Sequence, residues 1–254
     1  MAAEPLLDLE EVRVRLGGET ILAGVTLRIE RGGLTALVGP NGAGKTTLFN
    51  AISGEVRPEG GRIRFKGRDI TGLPPHRRAR LGVGRAFQLT ELFPTLSVFE
   101  NIRLAVQAAR GEAWHPFRPV PRFAQTRDET ARLLEEVGLA PLAARPASTL
   151  GHGDQRRLDL AIALATAPDL LLLDEPTAGM SAGDIPPLLA LIDRLRRAAS
   201  PTLLLVEHKI DVIHALADRL IVLDRGRVIA DGPPAAVMRE ARVRAAYLGL
   251  PADA

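Results

Sequence analysis

Cysteine is absent from the 254 residues. That excludes a disulfide framework, a thiolate metal site and a cysteine nucleophile, and it suits a reducing compartment. Lysine is scarce, occurring only at Lys45, Lys66 and Lys209, so arginine carries most of the positive charge behind a formal net charge of +3. No uncharged apolar run approaches the ~20 residues of a membrane-spanning helix. The start, Met1-Ala2-Ala3-Glu4-Pro5, lacks the basic-then-apolar pattern of a secretory signal. The expectation is a soluble protein, or one held peripherally at a membrane through a partner. Repeats, low-complexity tracts and sustained heptads are also missing. The densest basic cluster, His76-Arg77-Arg78-Ala79-Arg80, has no interleaved aromatics and reads as a solvated helix face rather than a nucleic-acid site.

What is present begins with enough apolar residues, 46%, for one large α/β domain or a core with a subdomain. The stretch Gly39-Pro40-Asn41-Gly42-Ala43-Gly44-Lys45-Thr46-Thr47 has the phosphate-loop spacing, Gly, four residues, then Gly-Lys-Thr. Leu34 to Val38 before it reads as a buried strand and Thr46 to Ser53 after it as a helix. Glycines let backbone N–H groups close around a phosphate, and the helix N-terminus adds partial positive charge there. Lys45 is then placed for the β- and γ-phosphates, and the Thr46 hydroxyl for Mg²⁺.

Leu6 to Val14 and Ile21 to Ile29 alternate apolar and polar residues around Gly17-Gly18, which predicts an antiparallel pair. Short strands are expected at Arg62 to Phe65 and Val83 to Phe87. From Ser97 the period becomes helical. A capping box of Ser97 and Glu100 opens a helix to about Ala109, a loop holding Trp114 follows from Gly111 to Phe123, and a second helix covers Arg127 to Val137. Trp114 reads as a packing anchor. Leu150 to Gly153 leads into a third helix. Buried strands are expected at Asp169 to Leu173 and Thr202 to Val206, helices at Pro187 to Arg197, Ile210 to Ala217 and Val237 to Tyr247, and a hairpin about Asp224-Arg225-Gly226. The alternation predicts a mainly parallel sheet with helices on both faces, and the helical block from Ser97 to Ala167 interrupts it as a subdomain.

The apolar strand into Asp174-Glu175 would deliver Asp174 to the Mg²⁺ that Thr46 holds, and leave Glu175 to polarise an attacking water as general base. Gln88, at a strand end, could touch Mg²⁺ or that water, and His208 could reach the γ-phosphate.

The phosphate loop, Gln88, Leu150-Gly151-His152-Gly153-Asp154-Gln155, Asp174-Glu175-Pro176 and His208 occur in the order found in ATP-binding-cassette (ABC) ATPases. The resemblance spans 6–250. It implies a P-loop NTPase of RecA-like fold with an N-terminal antiparallel β subdomain and an inserted α-helical subdomain. The core would be 6–96 with 168–235, the helical subdomain 97–167, and a C-terminal helix 236–250. It also implies ATP and Mg²⁺ as ligands and a head-to-tail dimer in which the signature residues Gly151, His152, Gly153 and Asp154 close over the partner's ATP. More narrowly, Arg85-Ala86-Phe87-Gln88, the run from Leu92 to Asn101, Asp154 to Asp159, Asp174 to Met180 and Ala246-Tyr247-Leu248-Gly249 resemble the ATPases of branched-chain amino-acid importers. The urea and amide importers share much of this.

Three positions depart from the family pattern. Leu16 stands where an aromatic usually stacks on adenine, Gly151 where the signature usually has serine, and Ser181 where an aspartate usually follows the catalytic glutamate. The resemblance implies an importer ATPase on the cytoplasmic face of the inner membrane. Its partners would be permease subunits, a second and different cassette subunit and, indirectly, an external solute-binding protein, with no nucleic acid. Against a non-transport ABC ATPase stand the single phosphate loop and the lack of heptads. Against a GTP switch, no asparagine precedes a lysine. Against a nucleotide binder without turnover stands the intact Glu175. An apolar cluster, Leu89, Leu92, Phe93 and Leu96, is expected to be partly exposed beside Gln88, either as a docking surface for the permease or as packing inside the helical subdomain.

Overall fold

The computed structural model describes residues 4–86, 92–111 and 121–248. The two N-terminal alternating segments are strands β1 (Leu7–Leu16) and β2 (Glu19–Ile29), paired antiparallel with Leu16 opposite Glu19. The loop strand is β3 (Leu34–Val38), and helix α1 (Lys45–Ser53) follows it. Then come β4 (Gly60–Phe65), β5 (Arg68–Asp69), α2 (Pro75–Leu81) and β6 (Val83–Ala86). The helical block holds α3 (Val98–Ala109), α4 (Pro121–Glu136) and α5 (His152–Leu164). The rest alternates as β7 (Leu170–Asp174), α6 (Ile185–Arg197), β8 (Thr202–Val206) and α7 (Ile210–Leu216). It closes with the hairpin β9 (Arg219–Asp224) and β10 (Arg227–Gly232), then α8 (Pro234–Val237) and α9 (Ala241–Leu248).

Among the described residues the strands form two sheets. One is antiparallel, in the order β2-β1-β4-β5. The other has six strands in the order β10-β9-β3-β8-β7-β6, parallel except for β10. The central strands β3, β7 and β8 of the six-stranded sheet are buried at every position, which is why they read as nearly continuous apolar runs. Successive side chains alternate between two cores. Leu34, Ala36, Leu171, Leu173, Leu203 and Leu205 face the cluster built with α3 to α6. Leu37, Leu170, Leu172, Leu204 and Val206 face the cluster of α1 and the antiparallel sheet, including Phe49, Leu7 and Phe65. The sheet therefore clamps β3 and β7 from both sides, and both strands end at the loops that carry the candidate site.

Several expectations need correction. The loop expected to Phe123 ends sooner, because α4 begins at Pro121, and proline is well tolerated in a first helical turn, where its missing N–H costs nothing. The same tolerance lets α6 begin at Ile185, ahead of Pro186 and Pro187. The single terminal helix from Val237 is two short ones. At the capping box, the Ser97 hydroxyl accepts from the Glu100 N–H, but the Glu100 carboxylate is engaged by Arg103 instead.

The basic face of α2 is solvated except at Arg78, which is 1% exposed. Its guanidinium donates to the carbonyls of Ala51, Ile52, Leu73 and Thr71. Ala51 and Ile52 belong to the last turn of α1, whose carbonyls have no intrahelical donor. Burial without a carboxylate at hydrogen-bond distance lowers the Arg78 pKa to about 10. Gly54 ends α1 at positive φ, where a Cβ would stand 2.7 Å from Arg78 Nε. Trp114, Phe87, Gln88 and Leu89 lie outside the described residues.

Candidate nucleotide site

β3 is buried at every position and hands the chain directly to the loop. At Gly39 the backbone passes so close to β9 that a Cβ would lie 2.0 Å from the Leu223 carbonyl oxygen, which no side chain tolerates. Gly44 caps α1 at φ 102, and a Cβ there would come within 3.1 Å of the Ile21 carbonyl oxygen. The N-terminus of α1 has no side-chain cap and no acidic residue in its first turn, so its free N–H groups and dipole stand ready for an anion. Pro40 accepts from the Ala43 N–H at 3.2 Å, and the Ala43 carbonyl accepts from Gly226 at 3.0 Å. The loop is thus braced by the β9–β10 turn. Asn41, Gly42 and Thr46 are exposed and Thr47 is half-buried.

Lys45 is 6% exposed. Its ammonium donates to the carbonyls of Gly39 at 2.8 Å and Pro40 at 3.0 Å. Burial lowers its pKa, and the nearby Glu175 and Asp174 charges oppose that shift. The lysine therefore sits within electrostatic reach of both acids from another strand. Asp174 ends β7 and is buried, and Glu175 follows at φ 49, in left-handed backbone. A bond from the Glu175 N–H to the Val206 carbonyl, 2.9 Å, holds that turn against β8. His208 lies just past β8 with its Nε2 3.0 Å from Glu175 Oε1. Phosphate loop, Asp174, Glu175 and His208 are thus gathered at the C-terminal ends of β3, β7 and β8, where open parallel sheets place their ligand sites.

Three further participants had no role assigned from the sequence: Arg85 and Thr177, which lie inside the importer-like strings, and Glu207. The Arg85 guanidinium donates to Asp174 Oδ2 at 2.7 Å and to Asn50 Oδ1 at 2.7 Å, tying the acid to α1. Among the described residues, Arg85 Nε is buried with no hydrogen-bond partner. Thr177 and Glu207 form a second pair, in which the Thr177 hydroxyl donates to the Glu207 carboxylate. A charged residue directly after a fully buried strand, next to His208, was the signal available for Glu207.

The signature segment lies at the start of α5. Gly151 is the N-cap, with no side-chain cap bond. Gly151 and His152 are exposed, Gly153 is buried, and Asp154 is bonded to Arg157. A Cβ at Gly153 would meet Asp184 at 2.9 Å, and the Ser181 hydroxyl donates to Asp184 at 2.7 Å. The start of α5 and the Ser181 turn therefore meet through Asp184. Leu16, at the β1–β2 turn, is 47% exposed. Gln88 lies outside the described residues.

Residues 22–178 match the ABC transporter family, and residues 227–252 match the branched-chain amino acid ATP-binding cassette transporter family. The chain belongs to the ABC transporter family. It is similar to the high-affinity branched-chain amino acid transport ATP-binding protein BraF of Pseudomonas aeruginosa, with 38% identity over 97% of this chain and 99% of BraF. It is 37% identical to LivG of Escherichia coli over 97% of this chain and 99% of LivG. Among solved structures it resembles the ADP conformation of MJ1267, an ATP-binding cassette of an ABC transporter, with TM-score 0.83 and 26% identity over 98% of this chain and 100% of that one. It also resembles the dimeric post-hydrolysis state of the cassette MJ0796 bound to ADP and Pi, with TM-score 0.75 and 25% identity over 90% of this chain and 98% of that one. The cassette is an ABC ATPase with the P-loop NTPase fold, an antiparallel β subdomain and inserted helices.

The donor chemistry fits Mg²⁺. Among the described residues no group of three His, Cys, Asp or Glu side chains gathers to hold a metal alone. Mg²⁺ characteristically uses one or two protein oxygens and completes its shell with water and substrate phosphates. Thr46 and Asp174 supply hard oxygens of that kind, and Arg85 holds Asp174 in place through its Oδ2. Among the described residues no helix is long and apolar enough to cross a membrane.

Proposed function

We propose that this cassette is the ATP-hydrolysing subunit of an importer for branched-chain or other hydrophobic amino acids, held at the cytoplasmic face of the inner membrane by its permease. The observation that carries the hydrolytic reading is the Glu175 carboxylate 3.0 Å from the His208 imidazole, at the strand ends that also carry Lys45 and Asp174. Asn41 to Thr47 wrap the phosphates, Lys45 meets the β- and γ-phosphate charge, and Leu16 gives the adenine apolar contact. Thr46 and Asp174, with Gln88, would hold Mg²⁺, which when bound would neutralise charge on the phosphates. Glu175 takes a proton from the attacking water, and His208 orients it against the γ-phosphate. Residues 6–96 and 168–235 form the catalytic core, 97–167 the helical subdomain and 236–250 the C-terminal helix.

Two cassettes close head to tail, each signature covering the other's ATP, and closure drives the permease. The departures at Gly151 and Ser181 support an asymmetric pair with a different cassette. Both departures act on the partner's ATP, whereas this chain's own Lys45, Asp174, Glu175 and His208 are complete. A related urea or amide importer is the second reading, favoured by the shared motif strings. The test is ATP-driven uptake by the purified transporter in vesicles, with leucine, urea and a short amide offered in turn. Leucine uptake that disappears in Lys45→Ala supports the proposal, and urea or amide uptake in its place overturns the solute assignment.

A further inference from the structure

The loops after β7 and β8 are joined by more than the Glu175–His208 contact. Glu207 is only 3% exposed, and a buried carboxylate is tolerated only when donors satisfy it. One of its oxygens accepts from the Thr177 hydroxyl, and the other accepts from the His208 backbone N–H at 3.0 Å. The Lys209 ammonium crosses back to the Thr177 carbonyl at 3.3 Å. Glu207 therefore grips the residue on either side of the site: Thr177, two positions past Glu175, and His208 itself. Thr177 is 1% exposed and Glu207 is not at the surface, so neither can meet a nucleotide directly.

We infer that the Thr177–Glu207 pair is the positioning device that fixes the His208 imidazole against the Glu175 carboxylate. This rests on the reading of Glu175 and His208 as the hydrolytic pair. Glu175 occupies left-handed backbone at φ 49, a conformation a side-chain-bearing residue holds only when its surroundings impose it. The imposition comes from the Glu175–Val206 backbone bond on one side and the Thr177–Glu207 bond on the other. His208 has the complementary problem. Its ring is exposed, and its backbone is anchored through the Glu207 carboxylate. A shift of about 1 Å in such a constellation can cost on the order of a hundredfold in rate while leaving ground-state binding intact.

The test uses the full-length cassette with Thr177→Val, which keeps the shape and removes the donor, and Thr177→Ser, which restores it. The readouts are ATP hydrolysis, affinity for ATP and thermal midpoint. His208→Ala serves as reference and as background for the double variant. The expected result is that Thr177→Val lowers kcat about tenfold to a hundredfold with ATP affinity within about twofold, and that Thr177→Ser recovers most of the loss. Thr177→Val should add nothing to His208→Ala, because residues acting as one unit are non-additive. Wild-type kcat in Thr177→Val overturns the inference. So do additive losses in the double variant, or a serine variant as defective as valine, since both describe packing alone. If His208→Ala itself turns over normally, the hydrolytic pair has been misassigned, and that failure is separate from loss of the clasp.

Discussion

At Lys45 the ammonium donates to the Gly39 and Pro40 carbonyls and so holds the loop's shape, and on the proposed reading it also brings charge to the phosphates. Lys45→Ala should weaken ATP binding at least tenfold in a fluorescence titration, since a hydrogen bond to a charged group contributes about 1.5–3 kcal/mol. Unchanged affinity would remove the lysine from the site. Arg78 makes a different prediction. Arg78→Met leaves the carbonyls of Ala51, Ile52, Leu73 and Thr71 without that donor, and each buried unsatisfied group costs about 1–3 kcal/mol. Chemical denaturation should show a loss of about 3 kcal/mol or more. A loss under about 1 kcal/mol would mean that water replaces the guanidinium. The two residues also differ in legibility. Lys45 was readable because its neighbours in sequence are its neighbours in space. The partners of Arg78 include the end of α1, more than twenty-five residues earlier, so a pattern of local charge could only suggest a solvated face.

At the scale of the element, the run before α3 separates two roles that the sequence left joined. Leu92 is half-buried against the helical core, whereas Phe93 is 55% exposed. Phe93→Ser should uncouple hydrolysis from uptake in the assembled transporter without moving the thermal midpoint of the isolated cassette. Leu92→Asp should lower that midpoint, because a charge is forced toward apolar packing. Unfolding by Phe93→Ser would make that ring core instead. The start of α5 invites the opposite change. No described residue lies within 4 Å of a Cβ built on Gly151, and its φ of −68 suits any residue. Gly151→Ser should add an N-cap worth a few tenths of a kcal/mol and tighten the ATP-bound pair, read by size-exclusion chromatography with ATP. No tightening would mean that backbone N–H groups alone serve the partner's phosphate. The strands into the site were legible because burial on both faces demands continuous apolar runs, as in Leu170 to Leu173. The starts of α4 and α6 were less so, because prolines that read as loop also fit a first helical turn.

Across the whole molecule, two cores on opposite faces of one sheet fix the ends of β3, β7 and β8 relative to one another, and the nucleotide site is assembled at those ends. The motif order made the architecture legible, since each motif belongs to a known place on that sheet. The supporting bonds of Arg85, Thr177 and Glu207 were not legible, because they depend on which strands become neighbours. On the proposed reading this assembly hydrolyses ATP with Glu175 as base. Glu175→Gln keeps the shape of the side chain and removes its proton acceptor. The most direct measurement is ATP binding and phosphate release by this variant in the complete transporter, beside the equivalent change in the second cassette. Glu175→Gln should retain ATP affinity, trap an ATP-bound closed pair and reduce turnover about a hundredfold or more, with a smaller effect from the partner's change. Turnover at the wild-type rate in Glu175→Gln would contradict that reading.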